Sequence, residues 1–147
     1  FKPMIDMDMV SVNHEITAQL ARSAVRASTN LPVKYVVLDT KTGRTGRYLA
    51  AFRGRKTVMA VCYQLHAQRI LALSYGVVPI LRNQELRDKY HFLIDALEFL
   101  DQYSKLADDD LLAIVGGSFG PDGGASYIEF ASVRNIRRRN AEIEAHK

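Results

Sequence analysis

The chain has 147 residues, enough for one domain, since a protein of this length buries roughly two-thirds of the surface that its unfolded chain exposes. An apolar content of 48%, a charged content of 24% and a net charge of +4 exclude extensive disorder, and no apolar run approaches the ~20 residues of a membrane-spanning helix. The single Cys62 excludes an internal disulfide and fits a reducing cytoplasm, where we expect the protein to reside.

The first predicted elements alternate between helix and strand. Residues 1–12 are rich in methionine and have no clear period, so we treat them as a connector or lead segment. Asn13 is a good N-cap for a first helix, and Pro32 ends its pattern. The continuous apolar run at residues 35–38 is typical of a strand buried on both faces of a parallel sheet. A short helix is predicted at residues 43–52.

The next elements continue this alternation. Residues 57–62 form a second apolar run that predicts a buried strand, and a helix at about residues 64–74 follows it. The third predicted strand, residues 77–81, contains Pro79, which lacks a ladder N–H group and indicates a sheet edge. The longest predicted helix spans residues 85–103 and carries one apolar stripe that faces the sheet.

Two strands complete the predicted domain. The fourth is the apolar run 111–115, and the fifth is the segment 126–133, in which apolar and polar residues alternate. The loop between them has no room for a crossover helix, so the fifth strand runs antiparallel to the fourth. The pattern predicts a three-layer α/β/α domain over residues 13–133, with a five-stranded mixed sheet of order 3-2-1-4-5. Residues 134–147 are treated as a basic tail.

One segment, at the end of the first predicted strand, has the chemistry of an anion site. The first N–H groups of the helix after it lack intrahelical partners and carry the positive end of the helix dipole. The alternative is an ordinary helix start with solvated charges. The segment lacks the Gly-Lys-Ser/Thr ending of a nucleotide-binding loop, so it predicts no magnesium–nucleotide site. Hydroxyl groups, a turn-forming glycine and two cations instead predict that a phosphate is bound by Thr40, Lys41, Thr42, Gly43, Arg44 and Thr45.

A glycine-rich loop follows the fourth predicted strand. Residues 116–124 contain five glycines, which is more than a hairpin requires. In a sheet of order 3-2-1-4-5, the loops after strands one and four flank the topological switch point, where open α/β sheets bind ligands. We therefore predict that the bound phosphate compound is covered by Gly117, Ser118, Phe119, Gly120, Gly123 and Gly124.

The order of these motifs resembles a known family. The Thr-Lys-Thr-Gly-Arg-Thr motif of residues 40–45 is followed by Phe-Arg-Gly at 52–54 and by a helix and strand at 69–79. The glycine-rich loop then leads into Tyr-Ile-Glu-Phe at 127–130. Over about residues 13–133, in order and with matching element lengths, the chain is similar to the C-terminal domain of pyruvate kinases.

The resemblance implies a role for the two loops. In allosteric members of the family, the loop that matches residues 40–45 binds a phosphate of a sugar-phosphate effector such as fructose 1,6-bisphosphate, and the loop that matches 116–124 closes over it. Here the second loop carries no Arg or Trp, so a second phosphate would need Arg82, Arg87 or Lys89. A monophosphate such as a hexose phosphate, a pentose phosphate or AMP fits at least as well.

The resemblance also implies that this piece has no catalytic residue. In the family, glycolytic phosphoryl transfer from phosphoenolpyruvate to ADP takes place on a separate barrel domain, which supplies the catalytic lysine and the magnesium and potassium sites. We expect no metal or cofactor in this domain. The single carboxylate of Asp39 supplies too few ligands for a metal ion, and the acidic run 108–110 lies at the edge opposite the ligand crevice. The implied partners are the barrel domain, a phosphorylated effector and the other subunits of a homotetramer.

Two other functions stay open on the sequence. The chain fits a stand-alone binding or scaffolding module, whose fifth strand is a sheet edge at which Tyr127 and Glu129 meet a second copy across a two-fold axis. It also fits a small phosphotransfer enzyme in its own right. Nucleic-acid binding by the basic run 134–139 is a minor hypothesis, because no aromatic residues are interleaved with it to stack on bases.

Overall fold

The computed structural model of the protein describes residues 9–41, 43–51, 56–83, 91–118 and 124–146. Helices and strands alternate in it as the sequence pattern predicts, and one further helix follows the last strand. No helix within these ranges is both long and apolar enough to cross a membrane. The elements in chain order are α1 (Met9–Asn30), β1 (Val33–Thr40), α2 (Arg44–Ala51), β2 (Val58–Cys62), α3 (Leu65–Ala72), β3 (Val77–Leu81), α4 (His91–Tyr103), β4 (Leu111–Ser118), β5 (Gly124–Ser132) and α5 (Val133–Ala145).

The five strands form one mixed sheet of order β3-β2-β1-β4-β5, which confirms the predicted fold class and strand order. The neighbouring pairs from β3 to β4 are parallel, and β5 runs antiparallel to β4. β3 lies at one edge, as Pro79 indicates, and β5 lies at the other. Because the parallel strands end at the same edge of the sheet, the segments that follow β1 and β4 leave from neighbouring positions there.

Each face of the sheet is covered by its own set of helices. One apolar core lies between the sheet and helices α4 and α5, and it includes Phe92 and Ile136. The other lies between the sheet and helices α1 to α3, and it includes Leu38, Leu49 and Leu71. Full burial of such a side chain contributes roughly 1.5–3 kcal/mol to the free energy of folding, so the two cores stabilise the sheet from both faces.

The glycine-rich segment contributes more to the strands than the sequence predicts. Gly117 and Ser118 belong to β4 and Gly124 belongs to β5, so these three are strand residues and not loop residues. Gly116 also pairs with β5, opposite Tyr127. A β carbon at Gly116 would lie 2.2 Å from Cζ of Tyr127, so this glycine is needed to admit an aromatic ring and not to form a flexible loop.

The C-terminal segment is also more ordered than the predicted basic tail. It forms helix α5, whose first turn is capped by the Ser132 Oγ atom, which accepts a hydrogen bond from the backbone N–H of Asn135 at 3.2 Å. Val133 and Ile136, three residues apart, are fully buried against the sheet. One face of α5 therefore packs on the core, and the division into a domain at residues 13–133 and a basic tail stays a prediction.

Candidate functional site

The segment between β1 and α2, residues 40–45, is called the phosphate turn below. The Thr40 Oγ1 atom accepts a hydrogen bond of 2.9 Å from the backbone N–H of Gly43, which closes the turn. Gly43 has φ of +86°, in the left-handed region that side chains with a β carbon rarely adopt. The Gly43 carbonyl then accepts the first helical hydrogen bond, from Arg47 N–H at 3.0 Å. Local sequence therefore fixes the direction in which the turn enters α2.

The polar groups of the phosphate turn differ in exposure. Thr40 and Thr45 are buried, with 4% and 5% of their surfaces exposed, whereas Lys41 and Arg44 are half-buried. The Thr40 hydroxyl uses a lone pair to accept from Gly43, so its own hydrogen is free to be donated in another direction. Thr42 lies outside the described residues. Five of the six predicted phosphate ligands are thus brought together at one strand end, and their binding of phosphate stays a prediction.

The ends of β4 and β5 lie beside the phosphate turn. Leu38 of β1 pairs with Val115 of β4, so the last residues of both strands extend to the same edge of the sheet. Ser118 pairs with Gly124 at the end of this ladder. The structure therefore places the predicted residues Gly117, Ser118 and Gly124 at the edge where the phosphate turn lies, and the predicted residues Phe119, Gly120 and Gly123 fall outside the described part of the chain.

Two residues on the opposite face of the sheet, Asp39 and Tyr127, form a polar group that the sequence analysis did not assign to a site. Asp39 precedes Thr40, so the alternation of a strand points its carboxylate towards α4, and only 4% of the residue is exposed. Tyr127 packs against the same core with its ring over Gly116. Burial, followed by the charges of Glu129 and Asp39, raises the pKa of Tyr127. The signal available in the sequence was an acidic residue inside an otherwise apolar buried strand.

Cys62 ends β2 beneath the helices α1 to α3 and is fully buried. Burial, together with the nearby negative charge of Asp39, raises the pKa of its thiol to about 12. The thiol is therefore protonated at neutral pH and is a poor nucleophile. Among the residues that the structure describes, no cluster of three or more His, Cys, Asp or Glu side chains is arranged to hold a metal ion.

The other predicted residues are candidates for a second phosphate or for a subunit interface. Arg82, a candidate for a second phosphate, faces Asp95 with an Nε to Oδ2 distance of 3.6 Å, and Arg87 and Lys89 lie outside the described ranges. Of the two predicted interface residues, Tyr127 is half-buried and Glu129 forms an ion pair of 2.8 Å with Arg139. Both point to the face covered by α4 and α5.

Comparison with known protein families tests the resemblance that the sequence motifs indicate. The sequence model of the family described as pyruvate kinase, alpha/beta domain, matches residues 18–129. The chain belongs to this family. The match covers the phosphate turn, the whole of β1 to β4 and most of β5, and it confirms the resemblance to the C-terminal domain of pyruvate kinases. The helix α5 lies beyond the matched residues.

Several curated pyruvate kinases are similar to the chain. The pyruvate kinase of Lactobacillus delbrueckii subsp. bulgaricus is 26% identical over 121 residues, which cover 82% of this chain and 20% of the relative. That of Borreliella burgdorferi is 25% identical over 124 residues, or 82% of this chain and 26% of the relative. The pyruvate kinase PKLR of Rattus norvegicus is 36% identical over 70 residues, which cover 48% of this chain and 12% of the relative. The chain therefore spans only a fraction of the length of the pyruvate kinases it matches.

Proposed function

We propose that this pyruvate kinase alpha/beta domain is a regulatory domain that binds a phosphorylated sugar or nucleotide and transmits its presence to a catalytic domain. The observation that carries the proposal is the phosphate turn. It combines a closed Thr40–Gly43 turn, the start of α2 and two half-buried cations at the carboxyl edge of a parallel sheet. Each of these features favours an anion over a neutral ligand.

The chemistry of the phosphate turn supports binding without catalysis. Hydroxyl and amide hydrogens, together with Lys41 and Arg44, supply donors for the oxygens of a phosphate ester. Phosphoryl transfer also requires metal ions held by carboxylates beside the phosphate. The described residues include no such cluster of acidic side chains. The phosphate group is therefore expected to be held unchanged.

The relatives named pyruvate kinase are several times longer than the chain, so we extend the proposal to a longer protein of cytoplasmic glycolysis. In it, a barrel domain would transfer the phosphoryl group of phosphoenolpyruvate to ADP with magnesium and potassium ions. The present domain would alter that activity by binding its effector more tightly in one conformation of the whole protein than in another.

Titration calorimetry of the chain tests the proposal. The probes are inorganic phosphate, ribose 5-phosphate, glucose 6-phosphate, AMP and fructose 1,6-bisphosphate. Arg44→Ala is expected to weaken binding of the phosphate esters by about ten- to a hundredfold, because it removes a charged donor worth ~1.5–3 kcal/mol. Arg134→Ala removes the same charge at the opposite edge of the sheet, where Arg134 pairs with Asp109, and is expected to leave binding unchanged. If no phosphorylated compound binds the folded chain, the proposal fails.

A second function, self-association through β5, is favoured by a separate observation. β5 is a sheet edge, and among the described residues no further strand pairs with its outer backbone groups. Phe130 is 39% exposed there, beside an open groove of about 310 Å³ whose lining includes Asn135 and Arg138. An exposed aromatic residue on an open edge strand is typical of a surface that a second copy covers.

A further inference from the structure

Helix α5 lies wholly beyond the residues that the family model matches. The match ends at residue 129, within β5, and α5 spans Val133–Ala145. Val133 and Ile136 pack on the core, and most of the other side chains of the helix are exposed. One exposed flank faces the end of α4. There Arg134 pairs with Asp109 at 3.2 Å, and Arg137 has two acidic partners at 2.8 Å, so the charge of this flank is balanced within the fold.

The other flank of α5 forms one wall of the open groove of about 310 Å³ beside β5. The lining consists of residues 129–131 of β5 and of Asn135, Arg138 and Arg139 of α5. Arg139 pairs with Glu129 at 2.8 Å. Arg138 is exposed and forms no ion pair with any residue that the structure describes. The groove therefore presents one unbalanced positive charge near the exposed ring of Phe130.

Glu142 continues this flank with the opposite charge. Positions 135, 138, 139 and 142 have the spacing i, i+3, i+4, i+7, which puts them on one stripe of a helix. Glu142 is exposed and, like Arg138, has no ion-pair partner in the part of the chain that the structure describes. Within the helix the basic residue precedes the acidic one, which is the weaker order for a pair four positions apart. The flank thus carries a cation and an anion about one turn from each other.

A second copy of the chain supplies both complementary charges by symmetry. Antiparallel pairing of two β5 edges requires a two-fold axis perpendicular to the sheet, which puts the two α5 helices on the same face and makes them antiparallel. With this axis beside Asn140, Arg138 lies opposite Glu142 of the second copy, and Glu142 lies opposite Arg138 of the second copy. The contact is therefore made twice, as in every isologous interface.

We propose that α5 is a self-recognition helix, in which the flank with Arg138 and Glu142 pairs reciprocally with the same flank of a second copy. The inference rests on the second function proposed above, self-association through β5, which supplies the apolar contact of Phe130. Exposed ion pairs are weak individually, so α5 contributes selectivity more than affinity. It favours one antiparallel orientation and disfavours partners that present like charges at these positions.

Two charge reversals test the inference by complementation. Arg138→Glu leaves two acids on the flank and Glu142→Arg leaves two bases, so each variant is expected to raise the Kd of its own homodimer by about tenfold. In an equimolar mixture of the two variants, opposite charges meet at both contacts. The mixture is therefore expected to form a heterodimer about as tight as the wild-type homodimer, measured by sedimentation velocity with one variant fluorescently labelled. Recovery of the dimer in the mixture also shows that both variants are folded.

Arg69→Glu is the matched control, because Arg69 is exposed on α3, which packs beside β3 at the other edge of the sheet. It is expected to leave the homodimer unchanged and to form no preferred heterodimer with Glu142→Arg. If the wild type dimerises through Phe130 but the two reversals do not prefer each other, this inference is overturned while self-association through β5 stands. A wild-type chain that stays monomeric at every concentration overturns both and leaves the groove to a partner of another sequence.

Discussion

Thr40 combines two tasks in one side chain. Its oxygen accepts the Gly43 N–H at 2.9 Å inside the phosphate turn, and the residue is 96% shielded from solvent, with only 4% exposed. Its hydroxyl hydrogen is left for a second hydrogen bond, which the proposed function assigns to a bound phosphate. The sequence indicates the second task, through the run of threonines, but not the first, which depends on the backbone conformation of Gly43.

Replacement of Thr40 by Ala is therefore expected to affect stability as well as binding. The buried N–H of Gly43 would lose its acceptor, which costs ~1–3 kcal/mol of the free energy of unfolding, measured by chemical denaturation. Thr40→Ser keeps the hydroxyl and is expected to recover most of the loss. An alanine variant as stable as the wild type would show that the hydrogen bond does not hold the turn.

Asp39 and Tyr127 show why the sequence alone did not identify the second polar group. They are 88 positions apart in the chain, and their proximity depends on the register of β1 with β4 and of β4 with β5. Register is set by packing between distant strands and cannot be read from the period of one strand. The phosphate turn, in contrast, is continuous in sequence, so its polar residues were recognised together.

At the scale of elements, the predictions that rest on a local sequence signal are correct, and those that depend on contacts between distant segments are wrong. The apolar runs predicted β1, β2 and β3 within a few residues, because a strand buried on both faces carries its own signal. Glycines in the fourth strand were taken as loop residues, although Gly116 is there to admit the ring of Tyr127. Helix α5 was not predicted because only a few of its residues are buried in the core. Its Arg137 forms ion pairs with acidic residues that are distant in sequence, which the sequence pattern of the helix does not indicate.

Arg137 attaches α5 to the last turn of α4 and to the segment that follows it. Its guanidinium contacts Asp101 and Asp108, each at 2.8 Å, and all three side chains are 41–53% exposed. Because solvent screens such pairs, Arg137→Ala is expected to cost only about 1 kcal/mol in the free energy of unfolding, and less at high salt. Arg138→Ala, an equal change of charge one residue further along, is expected to have almost no effect. Equal destabilisation by the two variants would contradict a specific role of the two Arg137 ion pairs.

Asp110 connects β1 to the turn before β4, and its stabilising effect depends on pH. Its Oδ2 atom accepts hydrogen bonds from Ala107 N–H at 2.8 Å and from Lys34 Nζ at 3.1 Å. The backbone bond from Ala107 and the charge of Lys34 hold the pKa of Asp110 below its ordinary value. A lowered pKa in the folded state gives stability that is present above about pH 4 and is lost as the pH falls through the lowered pKa.

The pH dependence is measurable as the difference in free energy of unfolding between the wild type and Asp110→Asn. This difference is expected to be constant from pH 5 to 7 and to shrink as the pH drops below about 4. Asp109→Asn serves as the control, because Asp109 pairs with Arg134 at 3.2 Å but is 87% exposed, and its difference from the wild type is expected to be small throughout. A constant gap between wild type and Asp110→Asn down to pH 2 would refute the assignment.

At the scale of the whole molecule, the two edges of the sheet differ. The β3 edge carries Pro79, which has no N–H group to offer to another strand. The β5 edge carries no proline and exposes Phe130 beside a groove of about 310 Å³. An edge of this kind is open to pairing with another strand, and a two-fold axis would bring two copies of β5 together antiparallel.

Self-association through β5 predicts a specific response in sedimentation velocity. The wild-type chain is expected to form a dimer whose population rises with concentration, and Phe130→Glu to give a monomer, because a charge would be buried at the centre of the interface. Leu73→Glu makes the same kind of change at a residue that is 90% exposed in the turn before β3, and it is expected to leave the dimer intact. A dimer disrupted by Leu73→Glu and not by Phe130→Glu would place the interface elsewhere.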